Sequence, residues 1–417
     1  MRRPFRNPTG PTGSTAPTDA RTATGPRVMV VGSGWRFTSG ISYYTCHLVN
    51  ALAERHATSA LLVRRLVPVL LYPGRRRVGR RVHDLAYDPA VAVLDGLDWY
   101  WGRSALQAAA FLRRERPDVL VLQWWTGAVL HSYLLLALLA RRRGVRVVIE
   151  WHEVQDTGEA RIPGVTAYVS RLLRVLLARC DGHVVHSRHD LALLHRAYPL
   201  TGPVEITPHG PYDHLATAPA AGPAGPPTPA RAADGGELTV LYFGVIRPYK
   251  GVEDLVAAFD LLPAPIAARL RLVVVGEPWE GWTAPLEAVR ASPRRDRITV
   301  VDRYVTDAEA AAFFAAADAV ALPYRRSSAS GPLHLAMSAG LPVLVSDVGG
   351  LREAAGDYAG AVFTPPADPQ AIAHGLVDLV ARCGTRFADP HSWTRTLDAY
   401  DRLFADIGLP VPAAAVR

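Results

Sequence analysis

Short apolar runs rich in β-branched residues, each followed by a stretch of helical periodicity, recur along nearly the whole chain. That alternation restricts the fold to a parallel α/β architecture, because two parallel strands need a long crossover and a helix supplies it. In the first half, strands are expected at 27–31, 60–66, 119–123, 146–150 and 182–186, with helices at 42–55, 103–115 and 167–179. A stretch rich in Pro, Gly and Ala over 217–236 interrupts the rhythm and reads as a linker or long surface loop. The pattern then restarts, with strands at 239–243, 272–275, 298–301, 319–322 and 343–345 and helices at 252–261, 307–316, 332–339, 369–383 and 393–406. At 417 residues the chain exceeds what one core organises, roughly 250–300 residues, so two domains are expected. The organisation that follows is a disordered tail at 1–26, a Rossmann-like domain at 27–210, a linker or loop at 211–236, a second Rossmann-like domain at 237–391 and a last helix within 392–410.

The tail is rich in Pro, Thr, Gly and Arg and has no hydrophobic periodicity to offset the entropy of ordering it. It also lacks the apolar core of a secretory signal, so the chain is expected to be cytoplasmic. Cys46, Cys180 and Cys383 are odd in number and far apart, which fits neither a disulfide framework nor a cysteine zinc site. A net charge of +8 suits an electropositive cleft or an anionic membrane surface as well as a nucleic acid, and no nucleic-acid-binding module is present. The apolar run 126–140 is shorter than the roughly 18 residues of a membrane span and reads as a buried helix. Arg141, Arg142 and Arg143 follow it at once, so peripheral rest on the inner face of a membrane stays open as an alternative.

One compositional fact bears directly on chemistry. Of 46 basic residues, Lys250 is the only lysine. A compact ammonium differs in shape from the planar guanidinium fork, so a lysine kept in an arginine-biased chain points to a task arginine cannot do. Lys250 lies with Arg247 in the loop between a strand and a helix, where backbone amides, the positive end of a helix dipole and two cations converge. That combination suits a diphosphate. The bland alternative is a surface loop with two solvated cations. A second strand-loop-helix junction, Leu322-Pro-Tyr-Arg-Arg-Ser-Ser-Ala-Ser-Gly-Pro-Leu, places Ser330 or Gly331 at a helix cap and Pro332 in its first turn. Amides around Gly331, Pro332 and Leu333 would face outward, either as a plain cap or as a phosphate cradle. Ligands of open α/β sheets bind beyond the carboxyl ends of the strands, so a cleft between two such domains is the expected site.

These segments carry a resemblance. Residues 243–251 and 323–350, ending in Gly340-Leu-Pro-Val-Leu-Val-Ser-Asp-Val-Gly-Gly-Leu-Arg-Glu, resemble the donor domain of the family 4 (group 1) retaining glycosyltransferases, and the likeness extends over about 27–403. It implies the GT-B fold, an α/β arrangement of two Rossmann-like domains facing across a cleft. The first would be the acceptor domain and the second the nucleotide-sugar donor domain, with the last helix crossing back onto the first. It implies that Lys250 and Arg247 neutralise the donor diphosphate, and that His152, in Glu150-Trp-His-Glu, lies near the transferred sugar. Glu153, His209 in Thr207-Pro-His-Gly-Pro-Tyr, and Trp124 would belong to the acceptor side or cleft wall, although Trp124 and Trp125 read equally as packing. Gly40, in Arg36-Phe-Thr-Ser-Gly-Ile-Ser, resembles the glycine loop that approaches the donor phosphate or acceptor, a tight turn being the alternative. The chain departs from the pattern in two places. Val245 stands where an arginine is usual, and Ser327 and Leu335 occupy the positions of the usual Glu pair. The donor contacts are then expected from Ser327, Ser330, Gly331, Pro332 and Leu333.

The function implied is transfer of a glycosyl group from a nucleoside diphosphate sugar to an acceptor hydroxyl, with retention at the anomeric carbon. The acceptor would be a carbohydrate, a lipid-linked sugar or a small molecule. No cofactor is implied beyond the nucleotide sugar as co-substrate. There is no Asp-x-Asp motif, so the implied reaction is metal-independent and no metal ligands are expected. The rivals are a non-catalytic sugar-nucleotide-binding or scaffold module, motivated by the missing glutamates, and a sugar-nucleotide epimerase on the same fold.

Overall fold

The computed structural model describes residues 25–35, 40–66, 85–99, 102–154, 164–212, 236–278 and 281–412. Residues 1–24 of the expected tail, Arg36 to Ser39 of the glycine loop, and the linker residues 213–235 lie outside the described residues. Among the described residues, thirteen strands form two sheets. The first holds β1 (Val28–Ser33), β2 (Thr58–Arg65), β3 (Ala92–Asp98), β4 (Val119–Trp124), β5 (Arg146–Trp151), β6 (Gly182–Val185) and β7 (Val204–Ile206). The second holds β8 (Leu238–Phe243), β9 (Leu270–Val275), β10 (Ile298–Val301), β11 (Ala319–Leu322), β12 (Val343–Ser346) and β13 (Ala361–Thr364). The helices of the first half are α1 (Gly40–Leu52), α2 (Gly102–Glu115), α3 (Leu130–Arg141), α4 (Val165–Leu177) and α5 (Arg188–Ala197). Those of the second are α6 (Val252–Asp260), α7 (Ala264–Ala267), α8 (Ala284–Ala291), α9 (Asp307–Ala316), α10 (Gly331–Ser338), α11 (Gly349–Ala354), α12 (Pro369–Val380) and α13 (Trp393–Asp406).

The strand orders are β3-β2-β1-β4-β5-β6-β7 and β10-β9-β8-β11-β12-β13, and every pairing is parallel. Each is the doubly wound order, with its switch point between the first and fourth strands of the sheet. Central strands are covered on both faces and read as unbroken apolar runs, as Val-Met-Val-Val in β1 and Val-Leu-Val-Leu in β4 do. Polar side chains set the helix starts. Ser187, Ser330, Asp368 and Ser392 each accept a backbone N–H of the first turn, and Thr306 with Glu309 forms a capping box at α9.

One core surrounds the second sheet, and two cover the faces of the first. Leu397, Tyr400, Leu403 and Phe404 of α13 belong to a core of the first sheet, so the chain's last helix returns to the half it started from. Charge fixes it there. Arg55 lies 2.7 Å from both Asp398 and Asp401, and the buried His56 lies 2.9 Å from Asp401.

Further bonds join the halves. The Glu353 carboxylate accepts the amides of Arg188 and His189 at the start of α5, at 2.7 and 2.8 Å. The Tyr43 hydroxyl donates to Asp307. Tyr212 donates its hydroxyl to the Gly40 carbonyl at 3.2 Å and its amide to the Ser338 hydroxyl at 3.0 Å. No described helix is long and apolar enough to cross a membrane.

Candidate functional site

Beyond β8, at the second sheet's switch point, the chain turns through Gly244 at φ 130° and reaches a single helical turn, Pro248–Lys250. Gly251 then caps α6 in the left-handed region, φ 63°. A side chain there would bring its Cβ 2.1 Å from the Pro323 carbonyl, so the Lys250 loop can lie against the loop after β11 only because residue 251 is glycine. Arg325 ties the two loops together. Its guanidinium holds Asp254 through two bonds of 2.8 and 2.9 Å, donates to the Pro248 carbonyl at 3.2 Å and lies 3.0 Å from Glu253, while its amide donates to the Tyr249 carbonyl at 2.8 Å.

This frame aims Lys250. The ammonium sits 3.5 Å from the centre of the buried Tyr324 ring and 5.2 Å from that of Tyr249, a cation–π seat that leaves its donors for another partner. Burial and the nearby charge of Arg247 pull the Lys250 pKa down to about 7, against the opposing pull of Glu153. Arg247 hydrogen-bonds to Tyr249, whose ring also lies under the Arg326 guanidinium at 5.1 Å. Glu153 comes from the first half of the chain, so the two halves meet electrostatically at Lys250.

The second junction is adjacent: a Cβ added at Gly244 would lie 3.4 Å from the Pro332 ring. Ser330 caps α10 through Leu333, and its hydroxyl lies 3.2 Å from that of Tyr324. Of the three residues expected to present amides, Pro332 has no N–H and that of Leu333 is taken by the cap, which corrects the expected cradle. The Ser330 and Gly331 amides are the ones left at that turn to meet an anion. Ser327 donates its hydroxyl to the Ala329 carbonyl at 2.8 Å and its own carbonyl accepts Gly350. The Ser327 hydroxyl thus shapes the loop. Leu335, at the position of the second expected glutamate, packs against the cores of both halves.

The first half contributes at the ends of its own strands. Gly40 opens α1 exposed to solvent and receives the Tyr212 hydroxyl. His152 follows β5 and packs edge-on against Tyr44, ring centres 4.8 Å apart. Glu150 is buried and accepts the Tyr44 hydroxyl at 2.5 Å and the Gln123 amide at 2.9 Å. Burial alone would raise its pKa, but the His152 and His186 rings and the Tyr44 hydroxyl hold it below the usual carboxylate range. His209 is buried at the centre of a ring cluster, 4.0 Å from His186, 5.4 Å from His152 and 5.4 Å from His334. Burial keeps His209 and His186 neutral, the latter at about 4. Trp124 is not a ligand face. It is 3% exposed, its ring 5.9 Å from Trp151, so it is core.

Sequence reasoning missed Tyr324 and Arg325, which seat and frame Lys250, and His186, which completes the histidine group. The signal for His186 was its place one residue past β6, as His152 stands one residue past β5.

Comparison with known proteins places these features in a family. Residues 237–382 match the family model of the glycosyl transferases group 1, and residues 39–210 match the glycosyl transferase 4-like domain. Among curated relatives, the O-antigen chain mannosyltransferase B of Escherichia coli is 32% identical over 178 residues, 39% of this chain and 45% of that protein. The GDP-mannose:glycolipid 4-beta-D-mannosyltransferase of Xanthomonas campestris pv. campestris is 38% identical over 105 residues, 25% of this chain and 29% of that one. The D-inositol 3-phosphate glycosyltransferase of Segniliparus rotundus is 30% identical over 202 residues, 44% of each. The chain therefore spans less than half the length of each of these relatives. Among solved structures, sucrose-phosphate synthase from Thermosynechococcus elongatus aligns over 92% of this chain and 95% of its own, with TM-score 0.57 and 19% identity. A glycosyltransferase from Rickettsia africae ESF-5 aligns over 91% and 99%, with TM-score 0.62 and 12% identity. At these identities the likeness is one of fold, the two-domain α/β arrangement called GT-B.

Proposed function

Because the chain belongs to the group 1 glycosyltransferases, we propose that it moves a hexosyl group from a nucleoside diphosphate sugar to an acceptor hydroxyl with retention of configuration, Lys250 gripping the departing diphosphate. The observation that carries this reading is the seat of Lys250 on Tyr324, framed by Arg325 at the second sheet's switch point. Negative charge accumulates on the diphosphate as the sugar leaves. Cations and amides fixed beforehand at that place lower the barrier without reorganising during the reaction. Lys250, Arg247 and the Gly331 amide supply them, so the diphosphate needs no metal counter-ion and the enzyme no cofactor. His152 hydrogen-bonds to the transferred sugar, Glu153 lines the acceptor side, and Gly40 lets the backbone approach the donor. The leaving phosphate takes the proton of the incoming hydroxyl, so no protein nucleophile is required.

The acceptor is a carbohydrate, a lipid-linked sugar or a small molecule. GDP-mannose, named for one relative, and the mannosyltransferase name of another make GDP-mannose the first donor to test. A cytoplasmic enzyme resting on the inner membrane face fits the exposed Leu106, Leu138, Tyr168 and Val175, which lie on helices α2 to α4 among arginines. The test is incubation with a panel of nucleotide sugars and acceptors, reading released nucleoside diphosphate and glycosylated product. Product with retained configuration is expected. Binding without transfer or hydrolysis, or isomerised donor without acceptor, would overturn the proposal.

A further inference from the structure

Strands β5, β6 and β7 are parallel neighbours; His152 and His186 stand one residue past β5 and β6, at the same level of the register, and His209 follows three residues past β7. Parallel neighbours run about 4.8 Å apart, so His152 and His186 meet, and the turn after β7 brings His209 onto them. One ring nitrogen from each of the three lies within 4.8 Å of the others, and all three side chains are buried. Their hydrogen bonding is incomplete. His186 Nδ1 lies 2.9 Å from the Thr207 carbonyl, an acceptor only, so this nitrogen carries the proton and Nε2 keeps its lone pair. His186 Nε2, His152 Nε2 and both nitrogens of His209 have no hydrogen-bond partner although they are buried. Buried polar atoms are nearly always satisfied, and each one left bare costs about 1–3 kcal/mol.

The surroundings match a metal centre. An imidazole bound through one nitrogen commonly donates its other N–H to a backbone carbonyl, as His186 does to Thr207. The Glu150 carboxylate lies 3.6 Å from His152 Nε2 and 3.8 Å from His186 Nε2, a buried negative charge beside the group of rings. Tyr44 and Gln123 hold that carboxylate, and the Tyr44 ring walls the group on one side.

We propose that His152, His186 and His209 form a binding site for one divalent transition-metal ion, with Zn²⁺ the expected occupant and Glu150 its counter-charge. Imidazole is a ligand of choice for zinc and its neighbours in the first row, while calcium and magnesium prefer oxygen. Zinc–nitrogen bonds of about 2.0–2.1 Å require the three nitrogens to close to about 3.4 Å, which rings with no hydrogen bond on the ligating atom can do by small rotations. The ion would fasten three loop ends at the floor of the cleft, beside His334 of α10. Lys250 and Arg247 keep the diphosphate, so metal binding neither requires nor follows from sugar transfer.

The full-length protein is stripped with chelator and titrated with Co²⁺ and then Zn²⁺, with no nucleotide present. One equivalent of Co²⁺ should produce the visible bands of a low-coordinate imidazole site, Zn²⁺ should displace it, and either metal should raise Tm. His186→Ala and His209→Ala should each weaken binding at least 100-fold, whereas His131→Ala, on the surface, should bind as wild type does. X-ray absorption of the zinc-loaded wild type should show three imidazole ligands, a reading that does not depend on any variant folding. No saturable cobalt spectrum in tenfold excess, a shell lacking imidazole, or unchanged affinity in both folded variants would overturn the proposal.

Discussion

At the scale of single residues, the proposed donor contact depends on how one ammonium is held. Lys250 is desolvated and crowded by Arg247, so its pKa of about 7 means that it loses its charge as pH rises through neutrality. A bound diphosphate favours the charged form and would draw a proton onto it. Nucleoside diphosphate affinity should therefore fall as pH rises above 7, by up to about tenfold per unit, with proton uptake on binding above that pH. Calorimetry at pH 8 in buffers of different ionisation enthalpy would detect the uptake; affinity flat from pH 6 to 9 would contradict it. Lys250 itself was legible in the sequence, because its rarity and its place after a strand are both properties of the one-dimensional string. Its seat was not. Tyr324 lies 74 residues away along the chain and meets Lys250 only because β8 and β11 pair. His186 was equally hidden, since an isolated histidine after a strand gains meaning only when its neighbours are known.

At the scale of elements, the junctions between strand and helix carry most of the specificity. Gly251→Ala would place a side chain at φ 63° and against the Pro323 carbonyl. A loss of more than about 2 kcal/mol is expected in urea unfolding, with nucleotide affinity falling alongside. The clamp on α13 gives a second prediction. Burial would raise the Asp401 pKa, but His56 and Arg55 bring it below the usual value. A carboxylate with a depressed folded pKa stabilises the fold above its unfolded pKa, near 3.9, and that contribution is lost as pH falls through the folded pKa. Asp401→Asn should cost about 3 kcal/mol at pH 7, and the difference from wild type should shrink toward pH 3. The strand-helix rhythm made the central strands and long helices legible in advance. The strands it passed over, β3, β7 and β13, are all at sheet edges. An edge strand is covered less completely, so β3 carries two aspartates and a glycine, and β7 is three residues long.

At the scale of the molecule, two sheets of the same order bring their carboxyl edges together at one cleft. Among the polar contacts that join the halves are those of Glu353 with the start of α5 and of Tyr43 with Asp307. Removing them with Glu353→Ala and Tyr43→Phe should favour an open form. A larger radius of gyration in solution scattering without ligand, reversed by nucleotide sugar, is expected together with a raised KM. Two domains and a cleft could be argued from length and periodicity alone. Contacts such as Glu353 with α5 could not, since they depend on the angle between domains, which no local pattern encodes.

Whether Lys250 holds the diphosphate of a nucleotide sugar is decided by calorimetric titration of nucleoside diphosphates into wild type, Lys250→Arg and Lys250→Ala at pH 7. Wild type should bind at least one of them. Lys250→Ala should lose at least 100-fold in affinity while keeping its fold, and Lys250→Arg should recover only part, because a planar fork does not fit the Tyr324 seat. Equal affinity in wild type and Lys250→Ala would mean that Lys250 does not hold the diphosphate.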